Sequence, residues 1–156
     1  MKKWTILIAV LLCMSMLLCA CSGSAGASKP LADIYAELKP MLSSPDEMND
    51  LTAAAQLDRY YGITEDQVEE FAGGINNTGV VMDEIVLIKA KDDAAASAVK
   101  TALENRLTSK LNENKNYNPE QAAIIEQCSV EQNGLYVSLI IAENASEITE
   151  KYHSFF

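Results

Sequence analysis

Residues 124–142 read IIEQCSVEQNGLYVSLIIA, and the Asn133-Gly134 pair within them is a preferred two-residue turn of a β-hairpin. Taken literally, the turn pairs Val130 with Val137, Cys128 with Leu139 and Glu126 with Ile141, all on one face with Leu135. Glu131–Tyr136, Ser129–Ser138 and Gln127–Ile140 then share the other face. The alternation agrees across both arms, and a slip of one residue would turn every side chain to the wrong side. The pattern leaves open whether Tyr136, Ser138 and Ile140 are covered by another element or face solvent.

Upstream, Glu84-Ile85-Val86-Leu87-Ile88-Lys89 holds four consecutive apolar, mostly β-branched residues, the signature of a strand buried on both faces. Asp92 caps the longest helix, whose stripe is Ala95, Val99, Leu103, Leu107 and Leu111, with Lys110 and Lys115 near its C-terminal end, where the helix dipole favours cations. Further back, Leu31, Ile34, Tyr35, Leu38 and Leu42 recur at helical spacing, and Pro40 ends or kinks that helix near Lys39. An alanine-rich stretch predicts a second helix over 48–58, which exits through Tyr60-Tyr61-Gly62-Ile63 with Gly62 in the left-handed conformation. Thr64 and Gln67 form a capping box for a short helix through Phe71, with Glu65 and Asp66 in its first turn, and residues 73–79 read as a loop. Downstream, a last helix carries Ile148, Tyr152 and Phe155 inward. This order predicts an α+β domain, a small, mainly antiparallel sheet packed against helices, over residues 30–156.

The start of the chain has another logic. Lys2 and Lys3 precede an uncharged apolar run from Trp4 to Ala20, followed by Cys21. A basic end, a short apolar core and a small residue at the cut describe a signal peptide over residues 1–20. Leu18-Cys19-Ala20-Cys21 resembles the bacterial lipobox, with cleavage before Cys21 and a diacylglycerol thioether on its thiol; Cys19 is a poor substitute because bulky Leu18 would take the small-residue position. Two acyl chains hold a protein stably where one is marginal. The run is shorter than the ~20 residues of a spanning helix and lacks a positive stop signal. The expected address is the extracytoplasmic face of a cell membrane, with residues 21–29 as lipidated cysteine and flexible tether, reaching on the order of 15 Å.

Removing Lys2 and Lys3 lowers the 12 basic residues to 10 against 22 acidic ones, a formal charge of −12. With only Arg59 and Arg106 as arginines, a nucleic-acid or phosphate-binding surface is not expected. Cys13 and Cys19 leave with the signal and Cys21 carries lipid, so Cys128 has no partner for an internal disulfide.

No catalytic constellation stands out, and no cofactor or metal site is expected. Cys128 falls on the apolar face of the hairpin, a packing position and not the positive setting a nucleophilic thiolate needs. His153 is the single histidine, too few for an ordinary zinc site, and nothing in the sequence brings it to Cys128. Ser97-Ala98-Val99-Lys100 matches the Ser-x-x-Lys pattern of serine enzymes, but within a helix and without the companion motifs. Glu65, Asp66, Glu69 and Glu70 form an acidic run, yet a calcium loop begun at Asp58 puts Tyr60 and Gly62 where oxygen ligands are required. Gly73-Gly74 lacks the Gly-Lys-Ser/Thr of a phosphate loop.

Four segments occur in a telling order: Tyr61-Gly62-Ile63; Asp83-Glu84-Ile85, opening a strand that ends in Lys89-Ala90-Lys91-Asp92; Tyr117-x-Pro119; and Gly134-x-Tyr136-Val137. Over Leu31 to Ala142 they resemble a family of small Gram-positive bacterial lipoproteins containing a domain of unknown function. The resemblance implies an extracytoplasmic lipoprotein and a shared fold, and brings no catalytic residues. The expected function is a non-enzymatic module at the cell envelope, bound to the membrane through Cys21 and taking a protein or a small ligand. A small enzyme using carboxylates or Cys128, and a structural or assembly factor, stay open as alternatives. The chain is too short to resemble the two-lobed receptors of solute importers.

Overall fold

Strand β3 (Glu84–Ala90) is the centre of the molecule, as its unbroken apolar run requires: Ile85, Val86, Leu87 and Ile88 have no accessible surface. The computed structural model describes residues 26–156. The expected signal peptide, the lipobox-like segment Leu18-Cys19-Ala20-Cys21 and the expected lipidation at Cys21 therefore lie outside the described residues. Strands β1 (Met48–Asp50), β2 (Val68–Asn76), β4 (Val130–Asn133) and β5 (Tyr136–Ile141) complete a five-stranded antiparallel sheet in the order β1-β2-β3-β5-β4. Among the described residues five α-helices, α1 (Leu31–Leu38), α2 (Ala54–Tyr61), α3 (Asp93–Asn114), α4 (Pro119–Ile125) and α5 (Ala145–His153), pack around it. The fold is α+β, with its antiparallel sheet between helices. Among the described residues no helix is long and apolar enough to cross a membrane.

The sheet separates two cores. On one side Val86 and Ile88 pack with Leu57, Val99, Leu103 and Ile125 of α2, α3 and α4. On the other Ile85 and Leu87 pack with Ile34 and Leu38 of α1 and with Ile148 and Tyr152 of α5. Ser138 and Ile140 are covered, with 3% and 4% of their surface accessible, which answers the question left by the hairpin. Burying a large aliphatic side chain stabilises by roughly 1.5–3 kcal/mol, so both faces matter to the fold.

Several expectations hold in detail. Asp92 accepts the Ala95 N–H at 2.8 Å and starts α3. Gly62 ends α2 at φ +69°, and Gln67 receives the Thr64 N–H at 2.9 Å. Ile148, Tyr152 and Phe155 are buried.

The hairpin differs in register. Asn133 stays in the strand opposite Tyr136, and Val130 pairs with Leu139, so the turn is Gly134-Leu135. Gly134 takes φ +57°, and the two-residue turn with glycine first is the alternative a hairpin favours. The pairing moves by two residues, an even shift that leaves every strand residue on its expected face. Cys128 and Glu126 are not strand residues at all: they follow α4, a seven-residue helix that the sequence reading misses. Such a helix is too short to show an apolar stripe, although Asn118 before Pro119 marks its start by accepting the Gln121 N–H at 3.4 Å.

The expected helix over 48–58 is strand β1 followed by α2. Gln56 Oε1 accepts the N–H groups of Thr52 and Ala53 at 2.7 and 3.0 Å, which delays the helix to Ala54, and Met48, Asn49 and Asp50 pair with Asn76, Ile75 and Gly74. The helix expected through Phe71 stops at Gln67, and β2 takes in Gly73 and Gly74 in place of a loop. Both glycines mark close approach: a Cβ on Gly73 would lie 2.1 Å from the Ile85 carbonyl oxygen, and one on Gly74 2.3 Å from the Tyr35 hydroxyl.

Of the expected tether, residues 27–29 are held by the domain. Ala27 packs on the second core, the Ser28 N–H donates to the Phe155 carbonyl at 2.7 Å, and Lys29 pairs with Glu37 and lies 4.9 Å from the Phe155 ring centre.

Candidate functional site

The tip of the β4–β5 hairpin and the end of α5 enclose a cavity of about 480 Å³, within the range of small-molecule sites. Alternation along β5 points Tyr136 and Ser138 into it, and Glu131, Gln132 and Asn133 of edge strand β4 form one wall. The other wall comes from Tyr152 and His153 at the end of α5 and from Phe156, four residues beyond Tyr152 and brought round by a turn in which the Phe156 N–H donates to the His153 carbonyl at 3.1 Å. Phe156 stands edge-on to both tyrosines, with ring centres 5.0 Å from Tyr136 and 5.1 Å from Tyr152. These edge-to-face contacts hold the rings in a defined arrangement. The Tyr152 hydroxyl lies beside Ser138, and burial keeps its proton well above the ordinary tyrosine value. At the rim His153 Nε2 and Glu131 Oε2 are 2.5 Å apart. Lys89, tied to Glu69 at 2.7 Å, sits 5.9 Å from the Tyr136 ring centre.

Cys128 and His153 both line a shallower neighbouring groove of about 250 Å³. They are not joined in a dyad: His153 is engaged by Glu131, and the half-buried Cys128 thiol donates to the Ile124 carbonyl at 3.3 Å. Burial pushes the thiol up from its usual value, only partly offset by the Ala142 backbone, so the thiolate is disfavoured. Ser97 donates to the Asp93 carbonyl at 2.9 Å on the exposed side of α3, beside a Lys100 turned to Glu104. The acidic run is dispersed: Glu69 pairs with Lys89, Glu70 accepts the Leu31 N–H at 2.6 Å, and Glu65 and Asp66 open a short 3-10 turn. Among the described residues no group of three or more His, Cys, Asp or Glu side chains is placed to hold a metal ion.

A second polar centre lies inside the sheet–α3 interface. Glu84 receives Lys110 at 2.6 Å and a two-pronged Arg106 at 3.1 and 3.0 Å, and Lys110 also donates to the Met82 carbonyl at 2.8 Å. Burial opposes ionisation of Glu84, but the two cations outweigh it and hold the carboxyl below its usual range. Arg106 stacks 5.8 Å from the Tyr61 ring centre. Such a centre pins α3 to β3. The sequence carries its signal: Glu84 is the acid at the first position of an apolar strand, and Lys110 sits seven residues from Leu103, on the same stripe of α3.

The aromatic cavity had no comparable signal, since Tyr136, Tyr152 and Phe156 converge only once α5 folds back over the hairpin. A profile described as a domain of unknown function (DUF4358) matches residues 42–142. The match takes in the hairpin but stops short of α5, so one wall of the cavity lies beyond it. The chain matches no curated protein and no solved structure.

Proposed function

The chain belongs to the DUF4358 family, and from that premise we propose that it is an extracytoplasmic lipoprotein of the small Gram-positive kind whose domain binds a small ligand without transforming it. The observation that carries the binding reading is the cavity of about 480 Å³ between the hairpin and α5. Its walls combine an aromatic cluster with a few polar groups, the usual make-up of a site that buries an apolar body and orients one polar end. The non-enzymatic reading is supported by the cavity's chemistry: its one carboxylate is paired to its one imidazole, and the neighbouring thiol is kept protonated.

The lipobox supports the anchor. Gly26 is five residue steps from Cys21, a span of at most about 18 Å when fully extended. An ideal Cβ on Gly26 lies 3.7 Å from the Tyr136 hydroxyl, so the cavity wall is where the tether meets the domain. A lipid on Cys21 would therefore hold the cavity close to the bilayer surface.

Two measurements test the reading. Intact mass of the membrane-fraction protein should give a chain beginning at Cys21 with added diacylglycerol, and Cys21→Ala should abolish that species; an unprocessed wild-type chain defeats the anchor. A small-molecule screen by amide NMR should shift the signals of Glu131, Tyr136 and His153 together. A screen in which no compound moves them defeats the binding site.

A further inference from the structure

The cavity carries one more piece of information, the charge of what it would accept. Phe156 and Tyr152 are among its lining residues, and Glu131 is the one acidic side chain of that lining among the described residues. The hydrogen bond that Glu131 makes runs through Oε2 to His153. Among the described residues no lysine or arginine lines the cavity, in a chain where acids outnumber bases by 22 to 12. Lysines around this end of the sheet are engaged in salt bridges, Lys89 with Glu69, and Lys29 and Lys151 with a shared Glu37. Each of these ammonium groups rests on a ring, Lys89 over Tyr136 at 5.9 Å and Lys29 and Lys151 over Phe155 at 4.9 and 4.7 Å. This corner of the protein thus already uses its rings to hold ammonium groups, and of the rings that line the cavity Tyr136 has one beside it while, among the described residues, Tyr152 and Phe156 have none.

We propose that the cavity binds a small organic cation, a quaternary ammonium or protonated amine on a short apolar body, seated on Phe156 and Tyr152 with Glu131 as its counter-charge. The proposal rests on the cavity being a binding site and adds the class of ligand. Cation–π attraction is strongest where the ring and the cation leave water together, which the cavity provides. The acidic field of the domain draws such a ligand in and repels organic anions.

The test is an amide NMR titration of the full chain, in a non-ionic detergent, with choline and with its uncharged isostere 3,3-dimethylbutan-1-ol. Choline should shift Glu131, Tyr136 and Phe156, and the isostere should bind about tenfold more weakly or worse. Glu131→Gln, which keeps the side-chain size, should weaken choline by a similar factor and leave the isostere unchanged; Phe156→Leu should weaken both. Equal binding of the two compounds overturns the charge selectivity while leaving the cavity a binding site. Failure of choline where neutral compounds from the wider screen bind does the same. Silence from every compound overturns the binding reading as well. A parallel titration with phosphatidylcholine vesicles separates a lipid headgroup, which shifts the same amides on the vesicle, from a free ammonium compound, which alone shifts them; either result supports the proposal.

Discussion

Glu84, without accessible surface, and Lys110, with 4% of its own accessible, meet at 2.6 Å across the sheet–α3 interface. Their pairing is more consequential when broken than when made, because removing the acid leaves two cations, Lys110 and Arg106, without a counter-charge. Glu84→Gln should lower unfolding free energy by about 3–5 kcal/mol, measured by urea titration, whereas Glu84→Leu combined with Lys110→Met should recover much of that loss. A loss below about 1 kcal/mol for the single variant would mean the pair behaves as an exposed one.

The same centre sets an acid limit. The Glu84 carboxyl is held below its usual value of 4.5, so the folded state binds that proton less readily than the unfolded one. Its stabilising contribution is complete above about pH 4.5 and is lost as the pH falls through the lower folded value. Asp50, against which burial works but which Lys39 and Tyr35 hold down, has the same sign. Thermal unfolding followed from pH 7 to pH 3 should show stability falling in the acid limb, and Glu84→Gln should flatten that limb. An unchanged slope in the variant would remove Glu84 as its source.

Gly73→Ala should be far worse than Gly62→Ala, although both positions are glycine. The added methyl at 73 meets the Ile85 carbonyl at 2.1 Å, backbone that cannot move without parting β2 from β3, whereas nothing lies within 4 Å of a Cβ at 62. Overpacking of this kind costs about 1–3 kcal/mol or more. At 62 the cost is the left-handed φ of +69° alone, on the order of 1 kcal/mol. Melting temperatures of the two variants decide it, and equal losses would place the strain elsewhere.

Cys128 should be a slow thiol. Native protein should label at this position at least about tenfold more slowly than the urea-unfolded chain, read by peptide mass after a timed pulse of maleimide. Cys128→Ala should leave ligand binding in the hairpin cavity unchanged. Rapid native labelling would restore the thiol as a candidate nucleophile.

How much of this was legible in advance depended on whether a segment's local pattern agreed with its tertiary setting. β3, α3 and α5 are read correctly because a continuous apolar run, a capped stripe and a spaced triad each say the same thing locally and globally. Residues 48–50 and 68–76 are misread because their strand state comes from partners far along the chain: Asn76 for Met48, and Ile85 for Gly74. The hairpin turn moved by one residue, and the pairing by two, because Gly134 can lead a turn as readily as it can follow Asn133. Cys128 then lost its strand, yet its packing environment came out as expected for a different reason, the end of α4. The cavity was out of reach because its walls come from the hairpin and from the last five residues of the chain.

That last fact bears on how the molecule comes to exist. The second core joins α1 to α5, and the clasp between Ser28 and Phe155 fastens the first described residues to the penultimate one. A chain synthesised amino end first delivers α1 long before the helix it packs against. Until residue 155 emerges, Leu31, Ile34 and Leu38 have no α5 to close over them, so this half of the protein assembles late and all at once. Chains cut short by even the last few residues should therefore be caught as incomplete folds, with the cavity among the parts they lack.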